Sequence, residues 1–581
     1  MVARSLPLFL GLFALATAQL NQKSNVDYSV INLLNETHTM GVIVDNVTYH
    51  LTPKEEASIL YSGSAPAAKS GYRYVKITKE NNNTEVEPFL RQPVSSNTPN
   101  EFFNRSWNKR DMAKLPVISE PLDPINRISS DLHIDGQIPT IHFVGNETLL
   151  NAMHSNVTAD TDVKGNLTYI SLNDTLTYED VEISLAGRSS RWMSKLSYNI
   201  KLKKKDTIYD YRRFKLRALA TDPSYLREQL AYDSLKSVGL LSAEFSFCRV
   251  FINDQELGLF GLIDTFQDPW LSNVFNGGEK YENGYLYQGS FQTLESGKRN
   301  QISDLSYTSN ISDYALGQYD IKVKASNGKK DNYEPLMEFT KFIAEAPTNT
   351  SNAVEEWNKK LYTDSFLRSL ALEVLLGYSD GYSSMADNYY VYQEPETGKF
   401  FYISSDMDMT IGSSMFSLDD MYSGNYSTFP GFYTRPLTEK ILQVPEFKQQ
   451  YEDLLVNFTK HLINPVVMND RINNLTSMLE EDVAWDKTLP RVGTNLLGDM
   501  ASQMSTNTTN TTNSAMANAV GSAMPAMINM TVAIDFASRL NASIPFQQAV
   551  NGPTDHISLA GIKEWMNTQS SNTMKFYNTT L

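Results

Sequence analysis

Cysteine is all but missing from this sequence, which has a single one, Cys248, in 581 residues. One thiol excludes any intrachain disulfide, so burial of apolar surface must hold the fold together. Cys248 lies in an apolar stretch, FSFCRVFI (245–252), and is expected to be buried and inert. Histidine is also scarce. The seven residues form no recognisable nucleophile–base arrangement, so a Ser–His–Asp site cannot be argued. His133, Asp135 and His142 (HIDGQIPTIH) lie on strand-like sequence and read as structural rather than metal-binding. Beyond the N-terminus there is no long uninterrupted apolar run. The nearest candidate, 514–533, is broken by Gly521, Pro525 and Asn529, so no transmembrane segment is expected there. The polar end MKFYNTTL lacks the apolar tail of a GPI signal. Positive charge is in deficit, with 50 Lys and Arg against 66 Asp and Glu, and the net charge of −16 argues against nucleic acid as a partner.

What is present points outward. Arg4 precedes an apolar stretch at residues 6–15 (LPLFLGLFAL), too short to span a bilayer comfortably, and Ala16-Thr17-Ala18 offers a small-x-small cleavage site. Residues 1–18 therefore read as a signal peptide, with a mature chain starting near Gln19. Asn-x-Ser/Thr occurs about eighteen times, for example at Asn35, Asn46, Asn104, Asn146, Asn166, Asn310, Asn457 and Asn578. This density beside a signal peptide predicts a secreted or cell-surface glycoprotein whose sequons lie on the surface.

Hydrophobic patterning divides the rest. Within 19–95, the segments NVDYSVINLL, MGVIVDNVTYHLT and GYRYVKIT are rich in Val, Ile and Tyr, which predicts a small β-sandwich-like domain. Residues 96–127 are rich in Pro and Asn and read as a linker. A second strand-rich block spans about 128–292. It contains one helix, 223–238, with Asp222 as N-cap, Pro223 in the first position and Gly239 at the end. Residues 247–264 read as a hairpin turning at Asn253-Asp254. From 335 the chain turns helical: 365–376 is a strongly apolar helix ended by Gly377, 388–393 and 399–404 are short strands, and 433–485 is helical again. Residues 501–581 read as a low-complexity and helical tail, with STNTTNTTNS (505–514) unable to build a core.

Chemistry concentrates in 375–412, LLGYSDGYSSMADNYYVYQEPETGKFFYISSDMDMTIG. A helix ends, an Asp follows, then an Asn, and a hairpin leads to a second Asp cluster. Phosphoryl transfer needs such a layout: one carboxylate to orient the attacking hydroxyl, and an Asn and a carboxylate to hold a metal against the phosphates. Asp380 would be the first, Asn388 the second, and Asp406 or Asp408 the third. Hard oxygen ligands suit Mg²⁺ or Mn²⁺. By spacing alone the same residues could equally cap turns and bind water.

Together with 187–202 (GRSSRWMSKLSYNIKL), 221–239 (TDPSYLREQLAYDSLKSVG) and 250–262 (VFINDQELGLFGL), this stretch resembles the spore coat protein H (CotH) family, in order, across roughly 180–412. Residues 59–76 and 100–110 look like the front end of the fungal, Mucorales-type members. The resemblance implies an α+β, bilobal, atypical protein-kinase-like domain over 128–500, with a β-rich N-lobe at about 128–292 and a helical C-lobe at about 293–500. It implies ATP with Mg²⁺ or Mn²⁺ as cofactors, and Ser/Thr of secreted, spore-coat or wall proteins as substrates. The family's catalytic turn falls on Gly377–Asp380, making Asp380 catalytic. Its metal-ligand strand falls on Asn388, and its Asp-x-Asp on Asp406 and Asp408. On the same basis the loop from Gly187, with Arg188, would approach phosphates, Lys201 rather than Lys195 would position them, and Glu228 would pair with that lysine. Ser379, Ser405 and Met409 stand where the family has aromatic residues and would pack a nucleotide differently. The alternative reading is a non-catalytic adhesin or invasin that binds a host-cell surface receptor, with 276–292 (NGGEKYENGYLYQGSFQ) as an exposed receptor-facing stretch.

Expression in a eukaryotic secretory host checks the export reading. The mature N-terminus should be Gln19, and glycosidase treatment should lower the apparent mass. Protein that keeps Met1 and carries no glycan would overturn it.

Overall fold

The computed structural model describes residues 25–499 and 528–581, apart from Asn82 and Leu497; the signal sequence and the 505–514 tract lie outside the described residues. The chain forms two units, Met1–Ser106 and Trp107–Leu581.

In the first unit, strands β1 (Asn25–Ile31), β2 (His38–Val44), β3 (Val47–Lys54), β4 (Ala57–Pro66), β5 (Tyr72–Thr78), β6 (Thr84–Val86) and β7 (Asn100–Phe102) make a sheet in the order β6-β5-β2-β3-β4-β1-β7. β3 is the fold line, since its first half pairs with β2 and its second half with β4. The two halves face each other. β1 and β5 are far apart in the sheet order, yet the rings of Tyr28 and Tyr72 meet at 4.9 Å and the Tyr74 hydroxyl donates to the Ser29 carbonyl at 3.0 Å. Arg91 is buried between them. It donates to both oxygens of Glu87 (2.9 and 2.7 Å) and to Glu101 (3.0 Å), which also accepts from Tyr72 and Tyr74. Every charge in this cluster is hydrogen-bonded, as burial of ions requires.

The stretch read as a linker is divided between the units. Its first part ends in β7, which pairs parallel to β1. The rest is bonded into the second unit: Ile118 N–H donates to the Ser237 carbonyl and Asn126 N–H to that of Val274. Pro and Asn here mark extended backbone, not a free connection.

In the second unit, β8 (Thr140–Gly145), β9 (Val163–Ile170), β10 (Thr175–Leu185), β11 (Tyr198–Lys201), β12 (Arg213–Arg217), β13 (Phe245–Ile252) and β14 (Gln255–Asp264) close into a barrel ordered β10-β11-β12-β14-β13-β8-β9. Period-two alternation sends Ile183, Ile200, Phe214, Leu216, Cys248 and Leu262 into one core, so Cys248 is buried and free. The hairpin turn is at Asn253, φ 49°, as read from Asn253-Asp254. The expected helix 223–238 starts later, at Arg227. Asp222 spends its carboxylate on Ser224 and Arg227, and Tyr225 at φ 59° interrupts the helical path.

A four-stranded sheet follows, ordered β16-β15-β17-β18: β15 (Leu286–Gly289), β16 (Tyr319–Val323), β17 (Tyr389–Gln393) and β18 (Phe400–Ser404). This corrects the reading of 276–292 as one exposed loop. β15 is internal to the sheet and Leu286 and Tyr287 are fully buried, so only 277–280 and Glu282 remain exposed. The helix Thr363–Leu375 packs on β18, and the helix Pro465–Thr488 crosses to the barrel. Its buried face carries charge. Asp482 accepts from Arg249 at 2.7 and 2.8 Å, and Asp486 accepts from Lys195 (2.6 Å), Tyr225 (2.7 Å), Arg491 (2.9 Å) and Leu259 N–H (3.0 Å). Gly258 (φ +106°) leaves the room this needs, because a Cβ there would stand 1.9 Å from Asp486 Oδ1.

The described part of the C-terminal segment is integral to the core. Its helices Met530–Arg539, Phe546–Asn551 and Ile562–Phe576 bury Phe536, Trp565 and Met566. No helix among the described residues is long and apolar enough to cross a membrane.

Glu373, on the helix Thr363–Leu375, is buried and accepts from the Ser383 N–H (2.9 Å) and hydroxyl (3.0 Å). Burial outweighs these bonds and the nearby Arg435, and raises its pKa from 4.5 to about 7. A carboxyl whose folded pKa is raised contributes stability that is complete below pH 4.5 and is lost as the pH rises through 7. Glu373→Gln keeps an acceptor for the N–H and cannot ionise. From pH 5 to pH 8, urea denaturation should show the wild type losing up to about 3 kcal/mol relative to this variant. A pH-independent difference would count against the assignment.

Candidate functional site

Two turns that need left-handed backbone bring the acidic residues together. Beyond the helix Thr363–Leu375, Gly377 turns at φ +62°, where a Cβ would meet Trp565 at 2.4 Å. Asp380 follows. Ala386 and Asn388, at φ 53° and 54°, then lead into β17. After β18, Asp406 takes φ 57°, and Gly412 (φ +82°) closes the second turn against Ala560 and Trp565. Non-glycine residues held at positive φ are strained, and such strain persists only where the surroundings impose it. Here a phenol does part of that. The Tyr378 hydroxyl faces the carbonyls of Ser405, Asp406 (3.1 Å) and Asn388 (3.3 Å), which fastens one acidic loop to the other.

Asp380, Asn388, Asp406 and Asp408 are neighbours. Asn388 Nδ2 donates to Asp380 Oδ2 at 3.0 Å and to its carbonyl at 3.2 Å. Asp380 Oδ1 is buried with no partner. Burial, followed by the fields of Asp408 and Asp406, pushes the Asp380 carboxyl well above the usual range. A buried acceptor with nothing to accept marks a place for a proton or a cation.

The cations come from β12. Arg213, Lys215 and Arg217 alternate onto one face of the strand, and Arg217 is buried. Its guanidinium reaches Asp406 Oδ1 (2.5 Å) and Asp408 Oδ2 (3.2 Å), while its Nε donates to Glu228 Oε2 (3.1 Å). Lys215 Nζ lies 3.6 Å from Asp406 Oδ2, and the Thr221 hydroxyl donates to Asp408 at 2.8 Å. The carboxyls respond differently. Against desolvation, Arg217 and Lys215 hold Asp406 down at about 2. Burial prevails at Asp408, which is raised, and at Glu228, raised to about 7.

Lys201 is placed elsewhere. It sits opposite Arg213, four residues along the strand from Arg217, or about 13 Å at strand rise. There it pairs with Glu182. The expected Lys201–Glu228 pair is therefore corrected: the partner of Glu228 is Arg217, and Glu228 is buried. Lys195 is bound to Asp486. Arg188 lies in the field of Asp406 and Asp380 and is engaged by Asp387. It donates to both oxygens of Asp387 (3.0 and 2.8 Å) and to the Ser290 carbonyl (3.0 Å), tying the Gly187 loop to the residue before Asn388. Gly187, at φ +80°, has the Ser190 hydroxyl 1.9 Å from where a Cβ would be.

The pattern RRFKLR at 212–217, three alternating cations eleven residues before a helical Glu, is the signal that finds Lys215 and Arg217. Nothing local in the sequence marks Asp387 as the partner of Arg188, or Trp565 as the floor of both turns. Of the histidines, His133 Nδ1 bonds the Ser246 hydroxyl and His142 Nε2 the Asn253 carbonyl, both structural contacts. Among the described residues, no three His, Cys, Asp or Glu side chains are grouped as a metal cage.

A family model described as CotH kinase protein matches residues 183–498. The chain is 26% identical over 463 residues to invasin CotH3 of Rhizopus delemar, covering 77% of this chain and 73% of that one. It is 26% identical over 414 residues to invasin CotH2 of the same organism (69% and 67%). Inner spore coat protein H of Bacillus subtilis is 26% identical over 307 residues, 53% of this chain and 78% of that one.

Arg217→Met removes the cation shared by Glu228, Asp406 and Asp408. Stability in urea should fall by about 3–5 kcal/mol, the range for a broken buried ion pair. Adding Glu228→Gln should recover part of the loss. A variant as stable as the wild type would sink the account of Arg217.

Proposed function

As a member of the CotH family, the chain is one for which we propose phosphoryl transfer from ATP to Ser or Thr of secreted, spore-coat or wall proteins, outside the cell or on its surface. The observation that carries this reading is the unpartnered Oδ1 of Asp380, whose other carboxylate oxygen is held by Asn388, beside Asp406 and Asp408, which Lys215 and Arg217 face. In this reading the barrel and the helix Arg227–Ser237 act as the N-lobe of a kinase-like pair of lobes. The helical half with its four-stranded sheet acts as the C-lobe.

Asp380 orients the attacking hydroxyl, and its raised affinity for a proton suits it to take one from that hydroxyl. Asn388 holds the Asp380 carboxylate in place through its amide N–H. Lys215 and Arg217, not Lys201, supply positive charge toward phosphate oxygens. The donor set of Asn388, Asp406 and Asp408 consists of hard oxygens and fits Mg²⁺ or Mn²⁺ in kind. Bound there, the ion would neutralise phosphate charge as transfer proceeds. Arg217 already bonds both aspartates, so a cation competes with it for Asp406 and Asp408.

A second reading, a non-catalytic adhesin for a host-cell surface receptor, draws on the invasin names of the Rhizopus relatives and on the exposed tip 277–280. The absence of a membrane-crossing helix among the described residues fits either a secreted or a surface-held protein.

Purified protein with ATP and Mg²⁺ or Mn²⁺ should bind nucleotide and incorporate phosphate. Asp380→Asn and Asp406→Asn, folded as the wild type, should each lower incorporation roughly 100-fold or more. Unchanged incorporation in both would falsify the site assignment. A wild type that neither binds nucleotide nor incorporates phosphate would leave the adhesin reading.

A further inference from the structure

Two buried arginines connect the acidic turns to residues beyond 528, past the end of the matched family region at 498. Arg539, on the helix Met530–Arg539, is 3% exposed and lies over the Phe536 ring. Its guanidinium donates to the Thr221 carbonyl (3.0 Å), the Ser413 hydroxyl (2.8 Å) and the Ser558 hydroxyl (3.0 Å). Thr221 is the residue whose hydroxyl donates to Asp408, and Ser413 immediately follows Gly412. Arg227, fully buried beside Glu228, donates to the carbonyls of Ile411 (3.2 Å) and Ala560 (2.6 Å).

The backbone repeats the connection. Ala560 N–H donates to the Gly412 carbonyl (2.8 Å), and Ser414 N–H to that of Ser558 (3.0 Å). Residues 558–560 thus run alongside the turn after Asp408, in an isolated antiparallel bridge between Ser413 and Leu559. Beneath them Trp565 is fully buried. Its Nε1–H donates to the Leu375 carbonyl at 3.1 Å, and its ring fills the space that side chains at Gly377 and Gly412 would need.

We propose that the segment 528–581 is a built-in clamp of the acidic site, and that Arg539 is a positioning residue for Asp408, acting through Thr221 and Ser413. Of the three groups that Arg539 bonds, Thr221 holds Asp408 through its hydroxyl and Ser413 stands on the loop that carries Asp408. Without it, Asp408 keeps its charge partner Arg217 but loses the backbone that fixes its position. The metal-dependent half of this proposal rests on the phosphotransfer reading; the structural half does not.

The test uses the full chain with Arg539→Met, which keeps the apolar stem, and with Arg539→Lys and Thr221→Val. Backbone amide exchange over 406–414 should be about tenfold faster in Arg539→Met than in the wild type, with exchange in β1–β5 unchanged. Equal rates over 406–414 in a folded variant would overturn the clamp, whatever the protein's activity. The Mn²⁺ concentration for half-maximal ATP binding should rise about tenfold in Arg539→Met and in Thr221→Val, and less in Arg539→Lys. The double variant should show no further rise, because both act on one path. Additive rises, or none with exchange altered, would overturn the positioning role of Arg539. A wild type with no Mn²⁺-dependent ATP binding would count against the phosphotransfer reading and leave the clamp to be judged by exchange alone.

Discussion

One guanidinium does more than any other group to define this molecule. Arg217 reaches Glu228 on a helix and Asp406 and Asp408 on a loop more than a hundred residues later in the chain. Three carboxylates facing one buried cation form an unequal balance. The outcome is one strongly ionised group, Asp406, and two whose protons are held more tightly. That asymmetry follows from position. Asp406 also has Lys215, while Glu228 has an oxygen with no partner. The barrel and the acidic loops are therefore joined by charge at Arg217, and again at the Arg188–Asp387 pair.

The same arrangement recurs on the helix Pro465–Thr488. Asp482 and Asp486, one helical turn apart, are buried against Arg249 and Lys195 of the barrel region. Desolvation makes such pairs poor sources of net stability, but breaking one strands the other charge. They make wrong registers between helix and barrel costly. A chain with no disulfide gains a comparable restriction on geometry from ions it cannot leave unpaired.

The sequence made some of this legible and hid the rest for identifiable reasons. The hairpin at Asn253, the strands on either side of Gly398 and the end of the helix before Gly377 are set by local rules of alternation and turn chemistry, and they stand close to where those rules put them. Asp380, Asn388, Asp406 and Asp408 were found as a linear pattern, and the fold makes neighbours of them. Lys201 lies on strand-like sequence, but strand character says nothing about position along a sheet; its register opposite Arg213 keeps it from the acidic loops. The helix expected from 223 begins only at Arg227, because Asp222 accepts from the N–H groups of Ser224 and Arg227 across a turn in which Tyr225 takes φ 59°. The stretch 276–292 is polar and glycine-rich at one end and an internal strand at the other, a contrast that composition averages away. The role of the C-terminal residues had no signal at all, since it depends on a tryptophan meeting two glycines more than 150 residues upstream.

That last feature has a temporal side. A ribosome makes Asp380, Asn388 and Asp408 long before it makes Ser558, Ala560 and Trp565, which support the turns they stand on. The first unit, Met1–Ser106, can fold while the second is still being made. The acidic loops then wait with an unfilled underside. Their final geometry is fixed only once the late helices have emerged and docked, so the chain passes through its own translation with the site unfinished.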